Sequence, residues 1–414
     1  MNTQNAINIS SPDAIYSPAI HLQAARYYYL DNLRALALML GVFVHAAMAY
    51  SLYMNEMWLT SAPEKSTVIE AATMFSHLFR MPLFMVIAGF FGCYIYQKRG
   101  VKGFIKNRSL RILLPFIIFF PLLMASFVFL FMYAMEHVEN KSPLLQLVST
   151  FATNPGARPN MQPSTMQLWF LFNLILFYCV TLVVLKINAF NVKNWLSACS
   201  VRTLRGILLF MLPLLLVPAL YSQYALPLHM PDRLYPQLWS FGYHGVFFAV
   251  GWISFSSQYL LDVVSGFWKW LLLVSVIAFA VAYQFYPRTI ALMVAIHPEG
   301  HFPDVGNTVF LAILQAFISV YMVLTLLAMG KKFLDQENAF FRYMSQSSYW
   351  VYLVHVPIIL LIQILLMDAD WNLWLKYFVT VALAFIISLL SYQLLVRYTP
   401  IGWMLNGRRS IKAN

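Results

Sequence analysis

Apolar stretches of about twenty residues recur along the chain, separated by short polar turns. They cover residues 33–53, 74–96, 112–135, 166–186, 206–226, 237–256, 267–287, 307–330, 347–367 and 373–396. Each is long enough to cross a hydrocarbon core of ~30 Å as a helix. The runs are continuous rather than alternating, so membrane strands are not expected. The pattern predicts an all-α integral membrane protein, a bundle of about ten transmembrane helices. Residues 1–26 are polar, with Pro12 and Pro18 and no apolar run, and do not read as a signal peptide. The expected organisation is a polar tail over 1–26, a membrane domain over 27–396 and a basic tail over 397–414. The longest outer loops, 136–165 and 288–306, leave no room for a soluble domain.

Composition agrees with the pattern. Hydrophobic residues make up 61% of the 414 and charged residues 10%, against about 25% charged in a soluble domain. Three cysteines with no CxxC spacing give neither a disulfide scaffold nor a redox motif. The net charge of +12 needs a location before it has a meaning. With the N-terminus inside, twenty of the 27 cations fall in cytoplasmic loops, including the run from Lys98 to Arg111 and the tail residues Arg408, Arg409 and Lys412. This positive-inside asymmetry puts both termini in the cytoplasm. It also makes the basic excess a matter of orientation, with no nucleic-acid partner expected.

Ionisable groups at bilayer depth are costly, which marks each as a functional candidate. The first stretch carries Asp31, Arg34 and His45. Arg34 and His45 are eleven residues apart, about three turns plus 20°, and so share a face some ~16 Å apart along the axis. Asp31, three residues before Arg34, falls on the same face. After the second stretch, six cations lie between Lys98 and Arg111. Arg108 and Arg111, with Lys102 and Lys106 nearby, form a fork suited to phosphate oxygens, although simple anchoring would place cations there too. His77 and Arg80 share a face at the outer third of the second stretch, beside Pro82 and Gly89, which permit a bend and a close helix approach. Trp169 fits an aromatic belt, and Asn173 is a buried polar group needing a partner. His244 and His355 each stand alone in a span, as much interhelical bridges as catalysts. His297 and His301 are spaced HxxxH, but the Pro and Gly between them make a poor helix, and no metal site is expected.

These residues together resemble the acyltransferase-3 family of membrane enzymes. The family's motifs are matched by Arg34-x10-His45 preceded by Asp31, by Arg108-x-x-Arg111, by FRMPLFMVIAGFF at 79–91, by LWFL at 168–171 and by SYWVYLVH at 348–355. They occur in order between about residues 26 and 360. The span-two stretch and the lack of a fused outer domain resemble the glucan-biosynthesis protein C branch, regarded as succinylating periplasmic glucans. Ala88, where many members carry Ser, and the missing Gly-x-Asp before span two point away from the O-antigen branch.

The resemblance implies a multi-pass enzyme of the bacterial inner membrane. It would move an acetyl or succinyl group from cytoplasmic acyl-CoA to a hydroxyl of an envelope carbohydrate. Acyl-CoA is then a donor substrate, no cofactor is bound, and the oligomeric state is open. Arg108, Arg111, Lys102 and Lys106 would hold the CoA phosphates. Imidazole has an ordinary pKa near neutrality, so His45 is the candidate base, with Arg34 at the thioester and Asp31 orienting Arg34. His77, Arg80, Trp169 and Asn173 would serve the acceptor or the oxyanion. Direct transfer and a covalent acyl-histidine both remain open. The competing class is a proton-coupled small-molecule transporter, which needs inverted repeats that the sequence does not reveal. A haem or quinone protein would need paired histidines at matched depth.

Overall fold

The computed structural model describes residues 27–154, 163–187, 199–223, 230–257, 259–287 and 305–407, with only the backbone given at 305 and 306. The polar tail 1–26, His297, His301, and Arg408, Arg409 and Lys412 lie outside the described residues.

Every predicted apolar stretch overlaps a helix. The helices are α1 (Tyr28–Ala47), α2 (Thr67–Arg108), α3 (Leu114–His137), α4 (Pro143–Thr153), α5 (Trp169–Ile187), α6 (Val201–Tyr221) and α7 (Leu238–Ser256). They continue with α8 (Tyr259–Ser265), α9 (Trp268–Phe285), α10 (Val305–Phe333), α11 (Ala339–Leu366), α12 (Leu373–Val396) and α13 (Pro400–Asn406). Among the described residues, β structure is limited to one isolated bridge, Ser164 with Arg233. Helices satisfy their own backbone groups, which hydrocarbon cannot do for them.

Among the described residues, eight helical stretches are long and apolar enough to cross a membrane, or nine if α7 and α8, bent by 105° against each other, form one broken span. The sequence predicted ten. The difference lies partly in Thr67–His137, which runs as one helical stretch of 71 residues. At 1.5 Å per residue a straight helix of that length would exceed the hydrocarbon core more than threefold. It is not straight. Gly100 sits at φ 64°, ψ −176°, a region essentially reserved for glycine. Beyond this break the chain turns back on itself, so that Arg108 Nη2 donates to the Phe91 carbonyl at 2.7 Å.

Small residues set the tightest helix contact. A Cβ at Gly89 on α2 would overlap the Phe248 carbonyl oxygen of α7, and one at Gly251 on α7 would overlap the Val86 carbonyl oxygen of α2. The two backbones therefore touch directly, as small residues allow in membranes. α1 packs on α11 and α2, burying Leu30, Leu33, Ala37 and Val44. α3, by contrast, exposes Ile117, Leu122, Val128 and Phe129, an apolar surface fit for lipid. These packings leave a space between α1, α2, α5 and α11, lined mainly by apolar side chains with a few ionisable ones among them.

Candidate active site

A cavity of about 450 Å³ occupies that space. Eight of the thirteen residues singled out from the sequence line it: Arg34, His45, His77, Arg80, Arg108, Arg111, Trp169 and His355. The i, i+11 spacing on α1 therefore puts Arg34 and His45 into the same space.

At one end lie three arginines. Arg34 Nη2 donates to Ser345 Oγ at 2.7 Å and stands 3.3 Å from Asp31 Oδ1. Asp31 is thus a partner of Arg34 and does not line the cavity itself. Arg108 lies over the Tyr178 ring, 4.8 Å from its centroid, a cation–π contact. Arg111 Nη2 donates to the Asn406 carbonyl at 3.0 Å. Directly after Arg108 the helix widens into a π-turn, Ser109–Leu113, which contains Arg111, a distortion common at functional sites. Lys102 and Lys106 are exposed and do not line the cavity. The helix after Gly100 turns Arg108 inward and these lysines outward.

The middle of the cavity is built around His45. Its Nδ1 lies 2.8 Å from the Gly41 carbonyl and 3.3 Å from His355 Nε2. His355 Nδ1 lies 2.9 Å from both the Val351 and Tyr352 carbonyls. A carbonyl only accepts, so each Nδ1 is assigned the proton and each neutral ring keeps its lone pair on Nε2. His355, a lone histidine in the sequence, thus meets His45 across 310 residues. Arg80 comes from α2 to the same turn. A Cβ on Gly41 would lie 3.4 Å from its Nη1. Arg80 is only 6% exposed, and its Nε and Nη1 have no hydrogen-bond partner among the described residues. A buried guanidinium with open donors is costly unless something anionic completes it.

The far end is aromatic. Trp58, from the loop after α1, lies 6.2 Å from the His45 ring by centroids. Its Nε1 donates to Gln363 Oε1 at 2.8 Å, and Gln363 Nε2 donates to the Ala46 carbonyl at 2.8 Å. Trp169, Gln167 and Asp232 also line the cavity. Asn173 and His244 stand behind this wall and do not line the cavity. Asn173 Nδ2 donates to the Trp169 and Pro231 carbonyls at 2.9 and 3.1 Å, and its Oδ1 accepts from Ser240 Oγ at 2.7 Å. His244 packs its ring on Trp169 and Trp239. Their placement supports Trp169 from behind rather than presenting a group to a ligand.

Several cavity residues were not singled out as site residues from the sequence, although Tyr349 and Tyr352 fall inside the SYWVYLVH stretch. Ser345, Tyr349 and Tyr352 come from α11, Trp58 from a loop, and Leu405 and Asn406 from α13. The tail after residue 397 was expected to be a basic segment only, yet α13 closes over Arg111. Among the described residues no cluster of histidine, cysteine and carboxylate side chains could hold a metal ion.

The chain matches the acyltransferase-3 family, described as an acyltransferase domain, over residues 27–393. It belongs to the acyltransferase-3 family. It is thus a membrane acyltransferase of that family, and the cavity that gathers the family-like motifs is its candidate active site. Curated relatives include the glucans biosynthesis protein C of Escherichia coli O6:K15:H31 (strain 536 / UPEC) and those of strains SMS-3-5 and K12. Each is 23% identical over 403 residues, spanning 94% of this chain and 96% of the relative. No solved structure matches the chain.

Proposed function

We propose that this acyltransferase takes a short acyl group, acetyl or succinyl, from cytoplasmic acyl-CoA and places it on a hydroxyl of an envelope carbohydrate. The observation that carries the reading is the continuity of one cavity from the Arg108/Arg111 pair to His45. CoA is polyanionic and its pantetheine arm is long and thin. The three arginines would hold its phosphates at the inner mouth while the thioester reaches the middle of the membrane. The acceptor would enter from the Trp58 and Trp169 end. The name of the relatives supports a glucan as that acceptor.

In the reaction, Nε2 of His45 takes the proton of the acceptor hydroxyl as its oxygen attacks the thioester carbonyl carbon. The oxyanion that forms sits against the open donors of Arg80. When the C–S bond breaks, the thiolate of CoA takes the proton back from His45. Donor and acceptor stay on their own sides, and only the acyl group crosses. This layout calls for ten crossings with both termini cytoplasmic, with the Gly100 break separating two crossings and α7 with α8 forming one. The setting is the bacterial inner membrane.

The double variant Arg108→Ala/Arg111→Ala tests the donor end. Charge-assisted hydrogen bonds contribute ~1.5–3 kcal/mol each. Calorimetric titration of CoA into purified protein should therefore show affinity at least about tenfold weaker. An unchanged affinity in a variant with an unchanged melting temperature would reduce the pair to anchoring charges.

A further inference from the structure

The cavity holds a second histidine whose lone pair is aimed at the first. Nδ1 of His355 faces two carbonyls of its own helix at 2.9 Å, which fixes that nitrogen as the donor. Its Nε2 is then an acceptor, and it points at Nδ1 of His45 from 3.3 Å with the two ring planes 78° apart. His355 is 4% exposed. Packing alone would be served by any side chain of this size. The fixed tautomer and the direction of the lone pair call for another explanation.

We propose that His355 is a positioning residue for the acyl transfer, accepting the Nδ1 proton of His45 in a hydrogen bond that strengthens as His45 becomes charged. The inference rests on the reading of His45 as the base. The steps balance as follows. His45 Nε2 gains the hydroxyl proton, so its ring holds two N–H groups and a positive charge. The Nδ1–H then donates more strongly, shared between the Gly41 carbonyl at 2.8 Å and His355 Nε2. The positive charge is spread toward a second imidazole in a region where few other groups can receive it. When CoA leaves, His45 Nε2 gives its proton to the thiolate and both rings return to their starting tautomers. No proton is left over and no co-reactant is needed. A carboxylate in the place of His355 would hold the charge more strongly, but it would also hold His45 charged at rest and so remove the base. A neutral acceptor avoids that.

Two substitutions separate this role from packing. In His355→Gln, Oε1 can reach the position of the imidazole Nε2 and keep an acceptor there. In His355→Leu, the volume stays similar and the acceptor is gone. Purified proteins of matched melting temperature are assayed for transfer from acetyl-CoA or succinyl-CoA, with His45→Ala as the reference. The expected result is a kcat for His355→Leu lower by about 10- to 100-fold at an unchanged KM for acyl-CoA, the range for one charge-assisted hydrogen bond. His355→Gln should recover most of that loss. Full kcat in His355→Leu would overturn the proposal, as would an equal fall in both variants. Full kcat in His45→Ala would instead overturn the underlying base assignment.

Discussion

At the residue scale the site is defined by polar groups that the membrane would not tolerate without a task. Arg80 is the sharpest case. Its Nε and Nη1 are buried beside Gly41 with no hydrogen-bond partner among the described residues. Replacing an uncompensated buried charge by an apolar side chain is often neutral or stabilising. Arg80→Met should therefore keep or raise the melting temperature while lowering kcat by about 10²- to 10³-fold, the usual effect of losing one oxyanion donor. A fall of several degrees in melting temperature, measured by intrinsic fluorescence in detergent, would assign Arg80 to the fold instead. The Asp31, Arg34, His45 face was legible because helical periodicity alone aligns residues three and eleven apart. The meeting of His45 with His355 was not, since nothing within either helix encodes which neighbour it will face. Trp58 and Ser345 escaped for the same reason, being polar or aromatic residues at positions where ordinary packing would also place them. Lys102 and Lys106 were read as clamp residues because they share a charge run with Arg108. All three lie on the helix after Gly100, and the helical phase alone separates the inward arginine from the outward lysines.

At the element scale three glycines carry the geometry. Gly100 lets α2 reverse and bring Arg108 back to Phe91. Gly100→Ala places a Cβ in a conformation that costs ~1–3 kcal/mol. The expected outcome is a lower melting temperature together with weaker CoA binding, because the arginine pair is carried by the returning arm. Retention of both would show that the arm is held by other contacts. Gly89 and Gly251 bring the α2 and α7 backbones together. Gly89→Val should destabilise the protein by about 1–3 kcal/mol or more through overpacking, readable as a lower denaturation midpoint with no direct change at the cavity. The apolar stretches predicted the helices well, because a span of fixed length and hydropathy is a strong constraint. The break within Thr67–His137 was less legible. Glycine in a helical pattern is often tolerated, and only the observed φ reveals that this one is used. α13 was missed because a seven-residue helix has too little periodicity to stand out from a basic tail.

For the whole molecule, charge asymmetry fixes the expected orientation and the cavity gives it a purpose. In a cysteine-free background, a membrane-impermeant maleimide should label Glu64→Cys in intact cells. Lys102→Cys should react only after permeabilisation. Labelling in the reverse pattern would invert the topology and put the arginine end on the wrong side for cytoplasmic CoA. The central claim is that one base, His45, acts where donor and acceptor meet. The most direct measurement is mass spectrometry of envelope glycans from cells expressing the wild-type chain or His45→Ala at equal levels. The account predicts acylated glycan with the wild type and none above background with the variant. Equal acylation in the two would contradict it.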